Sequence, residues 1–425
     1  MQYSTFITAS GIVRCDIFSN NFKTDCITVN LFMPLDIETA SSIALLSAVL
    51  KRGNEKFGEM DKIGAFLEKN YGASLSVSTS KAGELQSLSF TIRFLSDRFA
   101  IEKEPVAQNL VSLLYSCIFE PITENGGFKA SFVEQEKQNL KDKIASIIND
   151  KRVYSLEKCK QAMFEHERYG VYEYGDINMI DKITPQGLYR FYQKLINSAA
   201  LFISYAGFER DTSGLLKPLC DKFEVQKRPL PKTTVINEVS GIKEVTEEMN
   251  VAQSKLNLGF RLGKAAQDDL FATKMFNVIF GSSPTSKLFM NVREKLSLCY
   301  YCSSICGTLK NVMFVYSGVE TENVGKAQDE ILKQLEHMKN GEFTDEEFDN
   351  ARAYLIDSYV QSADSLSTLL FMQTAAYLAG HKLTDIQQIE EIKKVTKQRV
   401  TAVAREVALD TVYLLKGVGG DKNAN

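Results

Sequence analysis

The sequence predicts an α+β fold built from two similar halves. Strand-like and helix-like segments follow one another in the same order twice: a strand, a helix, a short helix, two paired strands and two long helices. Thr28–Met33 corresponds to Lys255–Phe260, and Ser74–Thr79 corresponds to Ser297–Cys302. Because paired strands followed by runs of helices usually form one layer of each, we expect a mostly antiparallel sheet with helices on one face in each half.

The boundary between the halves falls at a segment that contains prolines. Between Gln226 and Thr234, Pro229 and Pro231 flank a leucine in a basic stretch, which favours an extended chain. The length of 425 residues fits two domains of about 200 residues each. We therefore predict an N-terminal domain at residues 1–225, a linker at 226–240 and a C-terminal domain at 241–425.

Local patterns predict the individual elements. Asp61–Gly72 has the pattern of a short amphipathic helix that ends in glycine, and the strict alternation of Leu88–Phe94 is typical of a strand with one buried face. Asn311–Tyr316 is the apolar counterpart of that strand in the second half. An apolar stripe predicts a helix over Val324–Gly341, and Thr344–Glu347 forms a capping box that predicts the start of the next helix.

The composition is that of a soluble globular protein, with 44% hydrophobic residues, 24% charged residues and a net charge of −3. This charge gives no electrostatic reason to expect binding to nucleic acid. No apolar run approaches the ~18 residues of a membrane span. The first basic residue is Arg14, so we expect no targeting peptide, and the cytoplasm is the expected location.

The cysteines and histidines do not form a recognisable metal site. Cys299, Cys302 and Cys306 resemble a thiolate cluster, but strand alternation would point the first two to opposite faces, and no fourth ligand follows. We therefore expect ordinary, half-buried thiols. A helical zinc pair requires two histidines four residues apart, and no histidine in this chain has such a neighbour. The chain has three histidines: His166, His337 and His381.

The most informative segment is Arg293–Tyr300. It places a guanidinium and a phenol seven residues apart, across a predicted boundary between a helix and a strand. In one interpretation the two groups belong to a functional site. In the alternative interpretation, Arg293 is a surface charge on the helix and Tyr300 is a core aromatic residue.

Together these segments resemble the pitrilysin/insulinase family of metallopeptidases, the inverzincins. In the N-terminal half, Arg52–Asn54 resembles the family's Lys-Gly-Thr turn, Tyr71–Ser80 resembles one of its strands, and Ile183–Tyr192 resembles the segment that closes that half. In the C-terminal half, Gly281–Tyr300 resembles the family's most specific block outside the zinc motif. The resemblance implies two homologous LuxS/metallohydrolase-like α/β-sandwich domains that make up one half of a clamshell.

The zinc motif of the family is missing from this chain. Counting back from the Arg52–Asn54 turn, its positions fall on Ala44, Ser47 and Ala48, and the downstream glutamate ligand falls on Lys143. Alanine cannot ligate a metal, and a lysine ammonium would repel one. The resemblance therefore implies that this chain has no catalytic residue of its own and binds no metal or other cofactor. Zinc is expected on a partner chain.

By contrast, Arg293 and Tyr300 match the family's substrate-binding pair. In the family, the guanidinium donates to peptide carbonyls and the phenol donates to the oxyanion that forms at the zinc. The resemblance therefore implies a non-catalytic, substrate-binding subunit of a heterodimeric zinc-dependent peptidase. The implied partners are a homologous zinc-bearing subunit and a peptide substrate.

Two other functions remain open. One is a catalytically inert structural or peptide-binding scaffold derived from the same peptidase fold, which would not need the Arg293 and Tyr300 pair. The other is a self-sufficient hydrolase of different chemistry. The sequence gives that second alternative no support, because it has no Gly-x-Ser-x-Gly elbow, P-loop or dinucleotide fingerprint.

Overall fold

The computed structural model describes residues 2–8, 11–223, 229–380 and 384–418. The strands are β1 (Gln2–Ile7), β2 (Val13–Phe18), β3 (Thr24–Pro34), β4 (Gly53–Asn54), β5 (Gly58–Glu59), β6 (Ser74–Ala82), β7 (Leu85–Leu95), β8 (Thr123–Glu124), β9 (Gly127–Phe128), β10 (Ala200–Gly207), β11 (Lys243–Met249), β12 (Ser254–Arg261), β13 (Cys299–Gly307), β14 (Val312–Val319) and β15 (Ala408–Gly417).

The helices are α1 (Ile37–Val49), α2 (Met60–Lys69), α3 (Val106–Phe119), α4 (Ala130–Ser146), α5 (Lys151–Met163), α6 (Ile177–Asp181), α7 (Pro185–Ser198), α8 (Thr212–Lys222), α9 (Gly263–Asp268), α10 (Leu270–Asn277), α11 (Val324–Asn340), α12 (Asp345–Ser362), α13 (Leu366–Leu378), α14 (Asp385–Lys393) and α15 (Lys397–Glu406). Short 3₁₀ helices lie at Asp97–Phe99, Ile147–Asn149, Arg168–Gly170 and Thr321–Asn323, and π-helical segments lie at Val278–Ser282 and Leu288–Lys295. In the described ranges, no helix has both the length and the apolar character that crossing a membrane requires.

The chain folds into two compact units, and each unit includes a segment from the other half of the sequence. The first unit comprises Met1–Ala145, Val171–Lys232 and Ser362–Lys382, and the second comprises Ser146–Gly170, Thr233–Gln361 and Leu383–Asn425. The domains predicted at 1–225 and 241–425 differ from these units by the exchanged segments 146–170 and 362–382. Of the predicted linker, Gln226–Arg228 lie outside the described residues, and residues 229–240 contain no helix or strand.

The first unit is organised around a six-stranded sheet in the order β1-β2-β10-β3-β7-β6. Neighbouring strands are antiparallel except for β2 and β10. Ile27, Val29 and Leu31 lie on one face of β3, where they are fully buried together with Leu45 of α1 and Leu114 of α3. This core fixes the position of α1.

The second unit repeats this topology with one strand fewer. Its sheet has the order β11-β15-β12-β14-β13, in which only β11 and β15 are parallel. Strands β15, β12, β14 and β13 take the places of β10, β3, β7 and β6, so β6 and β13 are corresponding edge strands. The predicted α+β class with two similar, mostly antiparallel sheets is confirmed.

Each exchanged segment supplies a helix that packs on a sheet. In the first unit, Leu369 of α13 packs with Phe32 and Phe202, on the face of the sheet opposite the main core. In the second unit, Met163 of α5 packs with Phe314 of β14. The first sheet therefore carries helices on both faces, whereas the sequence predicted helices on one face.

The local signals for helix ends occur where the sequence predicts them. Gly341 ends α11 with a φ of +75°, a conformation that favours glycine. At the start of α12, the Thr344 N–H donates to Glu347 Oε2 at 2.7 Å, and the Glu347 N–H donates to Thr344 Oγ1 at 3.0 Å. The predicted capping box is therefore present.

A cluster of buried charges lies in the second unit. The Glu167 carboxylate accepts a hydrogen bond from Arg261 at 2.6 Å and pairs with Lys310 at 2.7 Å, and the Lys310 side chain is fully buried. Arg261 also pairs with Asp410 at 2.9 Å. Burial raises the pKa of Glu167, but hydrogen bonds from Arg261 and Lys310 lower it more, so the pKa is below its usual value. Glu167 is therefore held in its charged form.

Candidate functional site

The positions that match the zinc motif lie on α1 in the first unit. Asp36 caps this helix by accepting a hydrogen bond from the Glu38 N–H at 2.9 Å. Ala44 is buried, with 2% of its surface exposed, and the Ser47 hydroxyl donates to the Ala44 carbonyl at 2.7 Å. Ala48 offers only a methyl group. Two methyl groups and a hydroxyl bound to its own helix do not fit a zinc ion.

Lys143 lies in the last turn of α4. Its ammonium is 3.9 Å from the centre of the Tyr174 ring, which is a cation–π contact. The chain after Tyr174 runs directly against α1, because a Cβ on Gly175 would lie 2.0 Å from Ser41 Oγ. The Lys143 ammonium therefore lies on the ring that directly precedes a segment packed against α1.

Within the described part of the chain, no three His, Cys, Asp or Glu side chains are arranged to hold a metal ion. Of the histidines, His166 is exposed and His337 Nδ1 lies 3.8 Å from a Glu342 carboxylate oxygen. His381 lies outside the described residues. None of these side chains changes the chemistry available on α1.

Replacing Ala44 and Ala48 together by histidine is expected to leave the chain without stoichiometric zinc and without peptidase activity. The imidazoles would supply two ligands, but Ser47 would still provide no general base and Lys143 would still repel the metal. Elemental analysis and peptide cleavage by the purified variant measure the two effects. A triple variant that also carries Lys143→Glu is the matched comparison, because it removes the repelling charge. One zinc per chain in the double variant would contradict this account.

Arg293 and Tyr300 line the same cleft in the second unit. The cleft has a volume of about 400 Å³. Its lining residues are Arg293, Glu294, Ser297, Leu298, Cys299, Tyr300 and Glu320. Sequence reasoning did not identify Glu320, which directly follows β14 and reaches the cleft because β14 pairs with β13.

A π-helical segment leads into this cleft. At the end of Leu288–Lys295, the Leu296 N–H donates to the Asn291 carbonyl, five residues back, at 3.2 Å. Ser297 then has a φ of +51°, which residues other than glycine rarely adopt. Strand β13 begins two residues later. This tight turn joins the helix that carries Arg293 to the strand that carries Tyr300.

The preceding π-helical segment, Val278–Ser282, is fastened to β13. The Ser303 hydroxyl donates to the Gly281 carbonyl at 2.9 Å, and the Ser304 hydroxyl donates to Asn277 Oδ1 at 2.7 Å. Glycine is needed at 281, because a Cβ would lie 2.5 Å from Ser304 Oγ and 2.7 Å from Leu288 Cδ1. The first residue of the sequence block Gly281–Tyr300 therefore allows the helix and strand to approach closely.

The Tyr300 side chain is exposed and hydrogen-bonded. With 56% of its surface exposed, Tyr300 is not the core aromatic residue of the alternative interpretation. Its hydroxyl donates to Glu320 Oε1 at 2.7 Å. This hydrogen bond raises the pKa of the phenol, so Tyr300 stays protonated at neutral pH and keeps a proton to donate.

The Arg293 guanidinium is half-exposed and supported from its own helix. Its central carbon lies 4.6 Å from the centre of the Phe289 ring, and one nitrogen lies 3.3 Å from a Glu294 carboxylate oxygen. A guanidinium has five N–H donors in a fixed plane. Arg293 can therefore bind a peptide carbonyl without giving up these contacts.

A β-bulge at Tyr300 corrects one expectation from the sequence. Tyr300 is an extra residue between Cys299 and Tyr301 in the pairing of β13 with β14. Because the extra residue shifts the alternation, Cys299 and Cys302 are both buried instead of pointing to opposite faces. A hydrogen bond from the Cys302 thiol lowers the pKa of Cys299, and the charge of Arg293 adds to this effect.

Comparisons with known proteins identify the family of the chain. Residues 182–355 match a family model described as Peptidase M16 inactive domain. The probable inactive metalloprotease YmfF of Bacillus subtilis (strain 168) is 30% identical over 416 residues, which span 96% of this chain and 97% of YmfF. The chain belongs to the M16 peptidase family. The uncharacterized zinc protease YmxG of the same organism is 24% identical over 169 residues, 39% of this chain and 41% of YmxG.

A solved structure matches nearly the full length of the chain. A conserved protein from Enterococcus faecalis V583 superimposes with a TM-score of 0.90 at 27% identity, covering 99% of this chain and 100% of that protein. The resemblance to the pitrilysin/insulinase family, inferred from motifs, is confirmed. Both the matched M16 domain and YmfF are described as inactive, which supports a non-catalytic M16 homologue. The side chains on α1 give that description a chemical basis.

Proposed function

We propose that this M16 homologue is the non-catalytic, substrate-binding subunit of a heterodimeric zinc-dependent peptidase. It contributes Arg293 and Tyr300 to the active site of a zinc-bearing partner. One observation carries the proposal: both side chains line one cleft of about 400 Å³ while α1 has lost its metal-ligating side chains. A chain that keeps the donors for a peptide but not the group that activates water fits a supporting role.

The chemistry of the pair suits peptide hydrolysis at a neighbouring zinc. The Arg293 guanidinium binds substrate carbonyls in the ground state and the transition state. The neutral Tyr300 phenol donates to the oxyanion that develops when water attacks the peptide bond. In the free chain this proton is donated to Glu320. The hydrogen bond to Glu320 must therefore break before the hydroxyl can donate to the oxyanion.

The surface around the cleft is suited to an extended peptide. β13 is the edge strand of its sheet, so its outer backbone groups face no neighbouring strand in the described part of the unit. Large apolar side chains that flank the pair are exposed: Met290 at 47%, Leu296 at 45% and Ile305 at 51%. An edge strand supplies backbone hydrogen bonds and the adjacent apolar side chains supply contacts for alternate residues of the peptide.

The proposed partner is a homologue of similar size that retains the zinc motif. Similarity to both an inactive metalloprotease and a zinc protease of one bacterium supports pairing between two such homologues. Light scattering on the co-expressed pair is expected to give about twice the 47.7 kDa of this chain. A control mixes the zinc-bearing homologue with an unrelated protein of equal mass. A chain that stays monomeric beside every zinc-bearing homologue of its source organism would contradict the proposal.

A catalytically inert scaffold is the second candidate function, and the hydrogen bond between Tyr300 and Glu320 favours it. The Tyr300 hydroxyl already has an acceptor in Glu320, so the pair has a structural explanation that needs no substrate. Under this alternative, Tyr300 and Glu320 merely join the bulge of β13 to the end of β14. Kinetics of the Tyr300 variant in the assembled complex separate the two functions.

A further inference from the structure

A second cleft lies beside the Arg293 and Tyr300 cleft in the second unit. It has a volume of about 600 Å³. Its lining residues are Asn149, Asp150, Lys151, Arg152, Val251, Ala252, Gln253, Lys255 and Tyr301. The two clefts adjoin at the β-bulge, since the consecutive residues Tyr300 and Tyr301 line one cleft each.

The second cleft has an excess of positive charge. Three of its side chains are cations, Lys151, Arg152 and Lys255, and only Asp150 is an anion. Asp150 caps α5, where its Oδ1 accepts hydrogen bonds from the N–H groups of Arg152 at 3.0 Å and Val153 at 3.1 Å. The chain as a whole carries a net charge of −3, so this local excess is not a general property of the protein.

The side-chain charges of two of the cations have no carboxylate within ion-pair distance among the described residues. Among the described residues, neither Arg152 nor Lys255 forms an ion pair. The Lys255 ammonium donates to the amide oxygen of Gln253 at 3.3 Å. Burial lowers the pKa of Lys255, and the more distant Asp150 opposes this only in part. A negatively charged group bound in the cleft would compensate the Lys255 ammonium for the hydration that it loses on burial.

The Tyr301 ring is the platform on which both cations lie. The Arg152 guanidinium carbon is 5.0 Å from the ring centre, and the Lys255 ammonium is 5.6 Å from it. The adjacent Tyr316 ring holds Arg152 at 4.5 Å. Gly318 makes room for the platform, because a Cβ there would lie 2.6 Å from Tyr301 Cε1. These cation–π contacts position the two charges without using their hydrogen-bond donors.

We infer that this cleft binds a carboxylate of the peptide, most directly an acidic side chain, held between Arg152 and Lys255. The inference rests on the proposed function, since it assigns a preference to the same peptide-binding surface. A peptide that follows the edge of β13 past Tyr300 also passes Tyr301, so one of its side chains reaches the second cleft. A planar guanidinium and an ammonium on the same side of a cleft can together bind one carboxylate.

Fluorescence anisotropy with the full chain tests the inference. Three eight-residue probes carry an uncharged dye at the N-terminus: (Ala-Glu)₄ amide, (Ala-Gln)₄ amide and (Ala-Gln)₄ with a free C-terminal carboxylate. We expect the Glu probe to bind about tenfold more tightly than the Gln amide, since charge-assisted hydrogen bonds are lost with Gln. The preference should weaken as salt is raised. Tighter binding of the free-acid Gln probe alone would assign the cleft to a peptide C-terminus and overturn the side-chain assignment.

Separate Lys255→Gln and Arg152→Gln variants should each remove most of the preference for Glu, measured as the ratio of the Kd of the Gln amide to the Kd of the Glu probe. Lys326→Gln is the matched control, because Lys326 is an exposed lysine of α11 outside the cleft. Circular dichroism verifies that each variant is folded. Equal binding of Glu and Gln probes would overturn the carboxylate site while leaving the proposed peptide-binding function intact. Failure of all three probes to bind would count against both.

Discussion

Replacing Tyr300 by phenylalanine is expected to lower the kcat of the assembled peptidase about 100-fold, because one donor to the oxyanion is lost. The change removes a single hydroxyl from a side chain that is 56% exposed, so folding and assembly should be almost unaffected. Steady-state kinetics on the purified heterodimer measure the effect, and gel filtration verifies assembly. Tyr354→Phe is the matched control, since Tyr354 is also exposed, at 44%, and lies on α12 away from the cleft.

The companion variant Arg293→Ala distinguishes substrate binding from transition-state support. Arg293 would donate to peptide carbonyls in both states, so its loss should raise KM as well as lower kcat/KM. Unchanged kcat in Tyr300→Phe together with unchanged KM in Arg293→Ala would favour the inert scaffold. In that case the hydrogen bond of Tyr300 to Glu320 is structural.

Replacing Glu167 by glutamine is expected to destabilise the second unit by about 3–5 kcal/mol. The change leaves the fully buried ammonium of Lys310 and the nearly buried guanidinium of Arg261 without the charge that lies between them. Urea unfolding of the purified chain measures the loss of free energy of unfolding. Glu322→Gln removes the same charge from an exposed position and should change stability very little.

The same cluster predicts a pH dependence. The pKa of Glu167 is lower in the folded chain than its usual value. Its contribution to stability is therefore complete above the pKa of the unfolded carboxyl and disappears as the pH falls through the folded pKa. The difference in stability between the wild type and Glu167→Gln should be constant near pH 7 and should shrink on the acid side of pH ~4.5. A difference that grows on acidification would show that another group holds the cluster together.

The sequence was sufficient to predict those features that depend on short patterns. The capping box at Thr344 and Glu347 and the stop at Gly341 each involve only a few neighbouring residues, so they could be recognised directly. The repeated order of strands followed from alternation and from the similarity of the halves. The turn from helix to strand between Arg293 and Tyr300 was also predicted from a local pattern.

Features that depend on pairing between distant segments could not be predicted. The bulge at Tyr300 exists only in the register of β13 against β14, and strand alternation alone placed Cys299 and Cys302 on opposite faces. Glu320 follows Tyr300 by twenty residues, and the sheet brings the two side chains to 2.7 Å. The second cleft combines Arg152 with Tyr301, whose separation in sequence is larger still. No periodicity within one element contains this information.

The exchange of helices between the units constrains the order in which the protein can be completed during synthesis. The Phe32 and Phe202 face of the first sheet is covered by α13, which ends at Leu378. A ribosome adds about 5–20 residues per second. The face therefore stays exposed for roughly ten seconds between the synthesis of its strands and the synthesis of α13. The first unit is begun first but finished only when most of the second has been made. Chaperones that bind nascent chains therefore have a defined apolar target on this protein until translation is nearly over.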